Sequence, residues 1–204
     1  MENNPYANRN FDELCLHELF IEQAKVTPDA IAIVDYGSSY NNSNSNSNSK
    51  NESFSEPDEG TIQLTYRELD EITDKLAVIL IEDYGVGPDA VVGTMFPRCA
   101  QYCVAILSIL KAGGAYMPLE LVYPKFLLER AVNETNAKLV MTVEAYANRI
   151  DDPSMVMALG SKAPFLEDAK AGERPSYPPA SYVAPKADHL AFAVMSSGTT
   201  GVPK

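Results

Sequence analysis

The sequence is short of positive charge. It carries 16 lysine and arginine residues against 28 aspartates and glutamates, a formal net charge of −12. No basic patch is available to neutralise a run of phosphates, so neither nucleic acid nor an anionic membrane is an expected partner. Long apolar runs are missing as well. The longest, such as residues 104–110, are far too short to span a bilayer. The N-terminal Met1-Glu2-Asn3-Asn4-Pro5 is polar and has no leader-like apolar stretch. Cysteine is sparse and odd in number, with Cys15, Cys99 and Cys103 alone. That speaks against a disulfide framework and fits a reducing cytosol, so a cytoplasmic location is expected. His17 and His189 are the only histidines, far apart and without metal-ligand spacing. His17 is expected on a helix surface and His189 at the start of a strand. Without a secretory signal, Asn51-Glu52-Ser53 and Asn133-Glu134-Thr135 read as chance sequons.

Apolar residues are present in quantity. They make up 46% of the 204 residues, enough for a core in one or two domains. Residues 14–25 place Leu16, Leu19, Phe20 and Ala24 at helical spacing, ahead of Thr27-Pro28. Residues 30–35 fit a short buried strand. Residues 37–60 hold a tract of alternating Asn and Ser with almost nothing to bury, and are expected to be a mobile surface insertion. Residues 62–64 read as a strand. Thr65-Tyr66-Arg67-Glu68 then predicts a capping box and a helix to about residue 83, stopped by Gly85-Val86-Gly87-Pro88.

A strand over 90–96, an apolar helix over 99–111 closed by Gly113-Gly114, and an extended stretch over 115–119 follow. A helix after Tyr123-Pro124 and a strand over 139–142 complete the pattern. Cys99 and Cys103, four apart on one helix, are expected to pack in the core. Asp70, Glu71 and Asp74 are expected on a solvated helix face. Alternation of strand and helix with apolar strands predicts an α/β fold with a mostly parallel sheet and flanking helices. Repeated prolines make residues 151–188 a loose connector with one short strand. Residues 189–195 read as a strand that feeds the end of the chain.

That end is Ser196-Ser197-Gly198-Thr199-Thr200-Gly201-Val202-Pro203-Lys204. Four hydroxyls, two glycines and a lysine follow an apolar strand. Glycines let backbone amides approach an anion, consecutive amides form an anion-binding concavity, and the hydroxyls and Lys204 supply further donors. The spacing is not that of a Walker loop, and Gly-x-Gly-x-x-Gly is absent. On composition alone, a flexible loop without a ligand remains equally open.

The order of these nine residues resembles the phosphate loop of the adenylate-forming (AMP-binding) superfamily. Leu64-Thr65-Tyr66-Arg67-Glu68-Leu69 resembles the first core motif of nonribosomal-peptide-synthetase adenylation domains. Leu110-Lys111-Ala112-Gly113-Gly114-Ala115-Tyr116-Met117-Pro118-Leu119, with Tyr123-Pro124 after it, resembles the second. Leu16-His17-Glu18-Leu19-Phe20 with Thr27-Pro28-Asp29-Ala30 resembles the opening of such domains. The chain departs from the family at Glu120-Leu121, where Asp-Pro is usual, and at Met195-Ser196, where a Tyr-Thr pair is common.

The resemblance implies that residues 1–204 are the N-terminal portion of an adenylation domain. It implies that Ser196, Ser197, Gly198, Thr199, Thr200, Gly201 and Lys204 bind ATP phosphates, with Mg²⁺. It also implies activation of a carboxylic or amino acid as the acyl-adenylate, then transfer to a phosphopantetheine carrier domain. The family's downstream motifs do not follow Lys204. The 204 residues are therefore expected to be a fragment, inactive as an adenylating enzyme. They are also expected to leave apolar faces, such as Val104, Leu107 and Leu110, short of partners, and to leave an exposed sheet edge. A non-catalytic nucleotide-binding remnant or an interaction module is the alternative.

Overall fold

The computed structural model describes residues 14–36, 61–160 and 176–195. The Asn/Ser tract and the terminal Ser196-to-Lys204 loop lie outside the described residues. Helix α1 (Leu16–Val26) leads to strand β1 (Ile31–Asp35), which pairs antiparallel with β2 (Ile62–Thr65). Helix α2 (Tyr66–Glu82), β3 (Val91–Met95), α3 (Ala100–Lys111), β4 (Ala115–Pro118), α4 (Lys125–Glu134) and β5 (Val140–Val143) follow. Two short 3₁₀ turns precede β6 (Val156–Leu159), the one short strand expected within the connector. The main sheet is parallel throughout, in the order β4-β3-β5-β6.

Local sequence explains the element boundaries. At the start of α2 the Glu68 amide donates to Thr65 Oγ1 at 3.2 Å, and the Thr65 amide donates to Glu68 Oε2 at 2.9 Å. This is the predicted capping box, which satisfies two of the helix's orphan donors. Gly85, at φ +63°, ends α2, with its amide on Ile81 O and the Val86 amide on Leu80 O. Gly113, at φ +86°, does the same for α3.

Both faces of the parallel sheet are covered. Val92 and Met141 belong to a core with Leu69, Ile72, Leu76 and Leu80 of α2 and Val104, Ala105 and Ile109 of α3. Val91, Met95, Met117 and Val140 belong to a second core with Leu128, Ala131 and Val132 of α4. A strand buried on both faces is mostly apolar at successive positions, and β3 and β5 each admit only one threonine, Thr94 and Thr142, both buried.

Several expectations are corrected. Strand β1 is not buried: it has a single partner strand, and Ile31 and Val34 are exposed. Val104 does not lack partners, since it lies in the core with α2 and the sheet, and Leu110 is buried as well. Cys103 is exposed, so it does not pack in the core, while Cys99 is half-buried and packs against the core's edge. The Cys99 and Cys103 positions fall at the rim of α3 near Asp35, whose carboxylate accepts the Ala100 amide at 2.8 Å.

Candidate functional site

The segment that leads to Ser196 is only partly the strand predicted for residues 189–195. It makes one parallel bridge, Tyr116 to Phe192. The Tyr116 amide donates to Ala191 O at 3.2 Å, and the Ala193 amide donates to Tyr116 O at 3.0 Å. Strand β4 is four residues long and offers this neighbour only Tyr116, so no ladder develops. The segment is tied down elsewhere too. The Leu190 amide donates to Asp89 Oδ1 at 2.8 Å, and the rings of Tyr116 and Phe192 lie 6.1 Å apart. Ala193 and Met195 pack against the α4 core, while Leu190, Phe192 and Val194 are more than half exposed.

The bridge is parallel, so residues 189–195 run in the same direction as the four strands. Their described end, Met195, lies toward the carboxyl ends of the strands. In parallel α/β sheets that side is where ligands bind. The expected phosphate-binding residues Ser196, Ser197, Gly198, Thr199, Thr200, Gly201 and Lys204 follow Met195 directly and lie outside the described residues.

The second resembling motif contains a feature its sequence does not announce. Lys111 is fully buried. Its Nζ lies 2.6 Å from Asp70 Oδ1 and 2.6 Å from Asp74 Oδ1, and it also donates to Asp70 O at 3.0 Å. The rings of Phe20 and Tyr177 lie 5.5 and 5.6 Å from the ammonium. Asp70 and Asp74 therefore do not stand on a purely solvated face, although Glu71 does. Burial pushes the Asp74 carboxyl above its ordinary range, and the Lys111 charge opposes that shift. The Tyr177 hydroxyl donates to Lys111 O at 2.8 Å, and burial, then Tyr182, pushes its pKa up. One lysine thus joins α1, α2 and α3 to the segment that continues toward Ser196.

The departure at Glu120-Leu121 also has a structural setting. Arg149, from the 3₁₀ turn Glu144–Arg149, donates to Leu121 O at 3.1 Å and to Tyr123 O. It fixes the link between β4 and α4, and Glu120 points to solvent. No sequence signal separated Arg149 from the other surface arginines.

The two histidines, read from sequence as unrelated, line the same cleft. His17 is not a surface residue: it is 5% exposed, and burial holds its pKa below the ordinary histidine value. His189 accepts the Lys186 amide at Nδ1 at 3.0 Å. Among the described residues, no group of three His, Cys, Asp or Glu side chains is placed to hold a metal ion, and no helix is long and apolar enough to cross a membrane.

Similarity to known proteins accords with this fold. Chondramide synthase cmdD of Chondromyces crocatus is 35% identical over 190 residues, covering 93% of this chain and 4% of that protein. Tyrocidine synthase 1 of Brevibacillus parabrevis is 30% identical, covering 98% of this chain and 15% of that protein. The chain thus spans a small part of the length of these relatives. Among solved structures, the AMPPNP-bound form of the nonribosomal peptide synthetase FmoA3 superposes with a TM-score of 0.67 at 25% identity. That match covers 95% of this chain and 18% of the other. The N-terminal subdomain of Klebsiella oxytoca NpsA also gives a TM-score of 0.67, at 17% identity, and supports the fold; it covers 95% of this chain and 41% of the other. The AMP-binding enzyme family matches residues 20–204, a stretch that includes every motif from β1 to the terminal loop and all but the first residues of the opening one, and the chain belongs to that family.

Proposed function

We propose that these 204 residues supply the phosphate-gripping portion of an adenylate-forming enzyme of the nonribosomal-peptide-synthetase type. The observation that carries this reading is the placement of the Ser196-to-Lys204 sequence. It follows a segment that runs parallel to the sheet and ends toward its carboxyl side, inside the matched family region. Ser196, Ser197, Gly198, Thr199, Thr200 and Gly201 present amides and hydroxyls to the β- and γ-phosphates of ATP, and Lys204 adds a charge. Fixed donors of this kind stabilise the charge that builds on the phosphates during displacement. The phosphate oxygens and loop hydroxyls are hard ligands of the type Mg²⁺ takes.

The whole enzyme would join ATP and a carboxylic or amino acid to give an acyl-adenylate and pyrophosphate. The acyl group would then pass to a phosphopantetheine thiol on a carrier domain. The 204 residues alone are expected to bind the triphosphate without catalysing pyrophosphate exchange, because they correspond to a small part of the relatives' length.

Hydrogen exchange with and without ATP and Mg²⁺ tests the assignment. Protection is expected across residues 196–204, and Lys204→Ala is expected to weaken it by about tenfold in ATP concentration, the effect of losing one charge-assisted hydrogen bond. Absence of any protection there would remove the nucleotide site from this chain.

A further inference from the structure

A cleft of about 100 Å³ lies between the N-terminus of α1, the Gly113-Gly114 turn after α3, and residues 185–191. Its walls are mainly apolar, with Leu16, Leu110 and Leu190 among them. Its polar side chains include two histidines and one lysine. His17 is 95% buried, lines the cleft, and has no hydrogen-bond partner among the described residues. His189 Nδ1 is occupied by the Lys186 amide, so the ring carries its proton on Nε2. Lys186 is the one charged residue on the wall. Helix α1 is 11 residues long, and the amides of Leu16 and His17, first in the helix, have no intrahelical acceptor. The Cys15 amide is already taken by Glu18 Oε2 at 2.7 Å, and Cys15 Sγ lies 3.7 Å from Pro185 O.

A helix N-terminus alone would not define a site. Here an unpartnered, buried histidine lines the cleft, His189 and Lys186 line it too, and the Glu18 carboxylate is already engaged by the Cys15 amide. A ligand that satisfies these donors must bring acceptor oxygens, and negative charge suits both the helix end and Lys186. The apolar remainder of the wall calls for a short hydrocarbon body. An apolar cavity of about 150 Å³ accepts benzene, so about 100 Å³ limits the ligand to a few heavy atoms.

We propose that this cleft binds a short-chain monocarboxylate, with its carboxylate at His17, His189 and Lys186 and its alkyl chain against Leu16, Leu110 and Leu190. None of these residues belongs to the Ser196-to-Lys204 loop, and the proposal stands independently of adenylation.

The chain has only two histidines, so their ring signals in a carbon–proton NMR spectrum give a direct readout at constant pH. Butyrate is the probe, with 1-butanol and inorganic phosphate as controls, titrated into the full chain. Butyrate is expected to shift both histidine signals saturably with a midpoint in the millimolar range, and neither control is expected to do so. His189→Gln and Lys186→Gln, on the exposed side of the cleft, are each expected to weaken binding about tenfold. His17→Phe should abolish it, and the two outer variants keep the test decisive should His17→Phe fail to fold. No saturable shift with butyrate would overturn the proposal. Equal binding of phosphate, or of butanol, would overturn it too, since the cleft would then read charge alone or apolar volume alone.

Discussion

Lys111 is the one fully buried cation among the described residues, held by two aspartates that keep 27% and 32% of their side-chain surface. Removing a buried charge leaves its partners uncompensated, at a cost of about 3–5 kcal/mol when those partners are themselves buried. Asp70 and Asp74 can rehydrate in part, so Lys111→Met is expected to fall at the lower end, about 3 kcal/mol, measured by urea unfolding. A loss below about 1 kcal/mol would mean that the ammonium adds little beyond its hydrocarbon stem. Sequence concealed this role. Lysine at the last position of a helix ordinarily complements the helix dipole from the surface. Only the packing of α1, α2 and Tyr177 around α3 encloses Lys111.

His17 makes a pH prediction at the same scale. Burial lowers its pKa in the fold, with Glu18 opposing and Lys111 adding to the shift. The unfolded value is about 6.5. Between the folded and unfolded values the unfolded chain binds more protons, so stability is intact above about pH 6.5 and falls as the pH drops through it. Urea midpoints should therefore decline on acidification through that window, and His17→Gln should flatten the decline. An unchanged slope in the variant would assign the effect to other groups.

At the scale of elements, capping chemistry and apolar period were legible because both are local. The Thr65/Glu68 box was visible as four residues, and its two hydrogen bonds are present. Thr65→Ala is expected to cost about 1 kcal/mol, read as a lower unfolding midpoint with an unchanged denaturant slope. The strand assignment for residues 189–195 failed for a non-local reason. Apolar alternation says that a segment can lie extended, while pairing depends on what its neighbour offers, and β4 offers one residue. Strand β1 departs from its sequence pattern for the same kind of reason: its apolar residues predict burial, but its place beside β2 leaves Ile31 and Val34 exposed.

For the whole molecule, the parallel sheet and the family were legible from ordered motifs spread along the chain. The sheet order and the meeting of His17 with His189 were not, because they arise from how distant segments pack. Nor does sequence alone reveal how residues 190–194 present themselves. Leu190, Phe192 and Val194 are 51%, 57% and 66% exposed, beside a backbone edge that makes a single bridge among the described residues. An apolar row on an open edge is a template for association. The chain is therefore expected to self-associate with rising concentration in sedimentation velocity. Replacing Leu190 and Val194 together by serine should shift the population to monomer. Both side chains are more than half exposed, so the double variant should change folding stability by about 1 kcal/mol at most, within the range of ordinary surface substitutions at each site. Phe192 is left intact in this test because its ring packs near Tyr116, and its loss would mix folding with association. Unaltered association in the double variant would place the contact surface elsewhere, with the exposed Val122 and Phe126 of the β4–α4 region the next pair to replace.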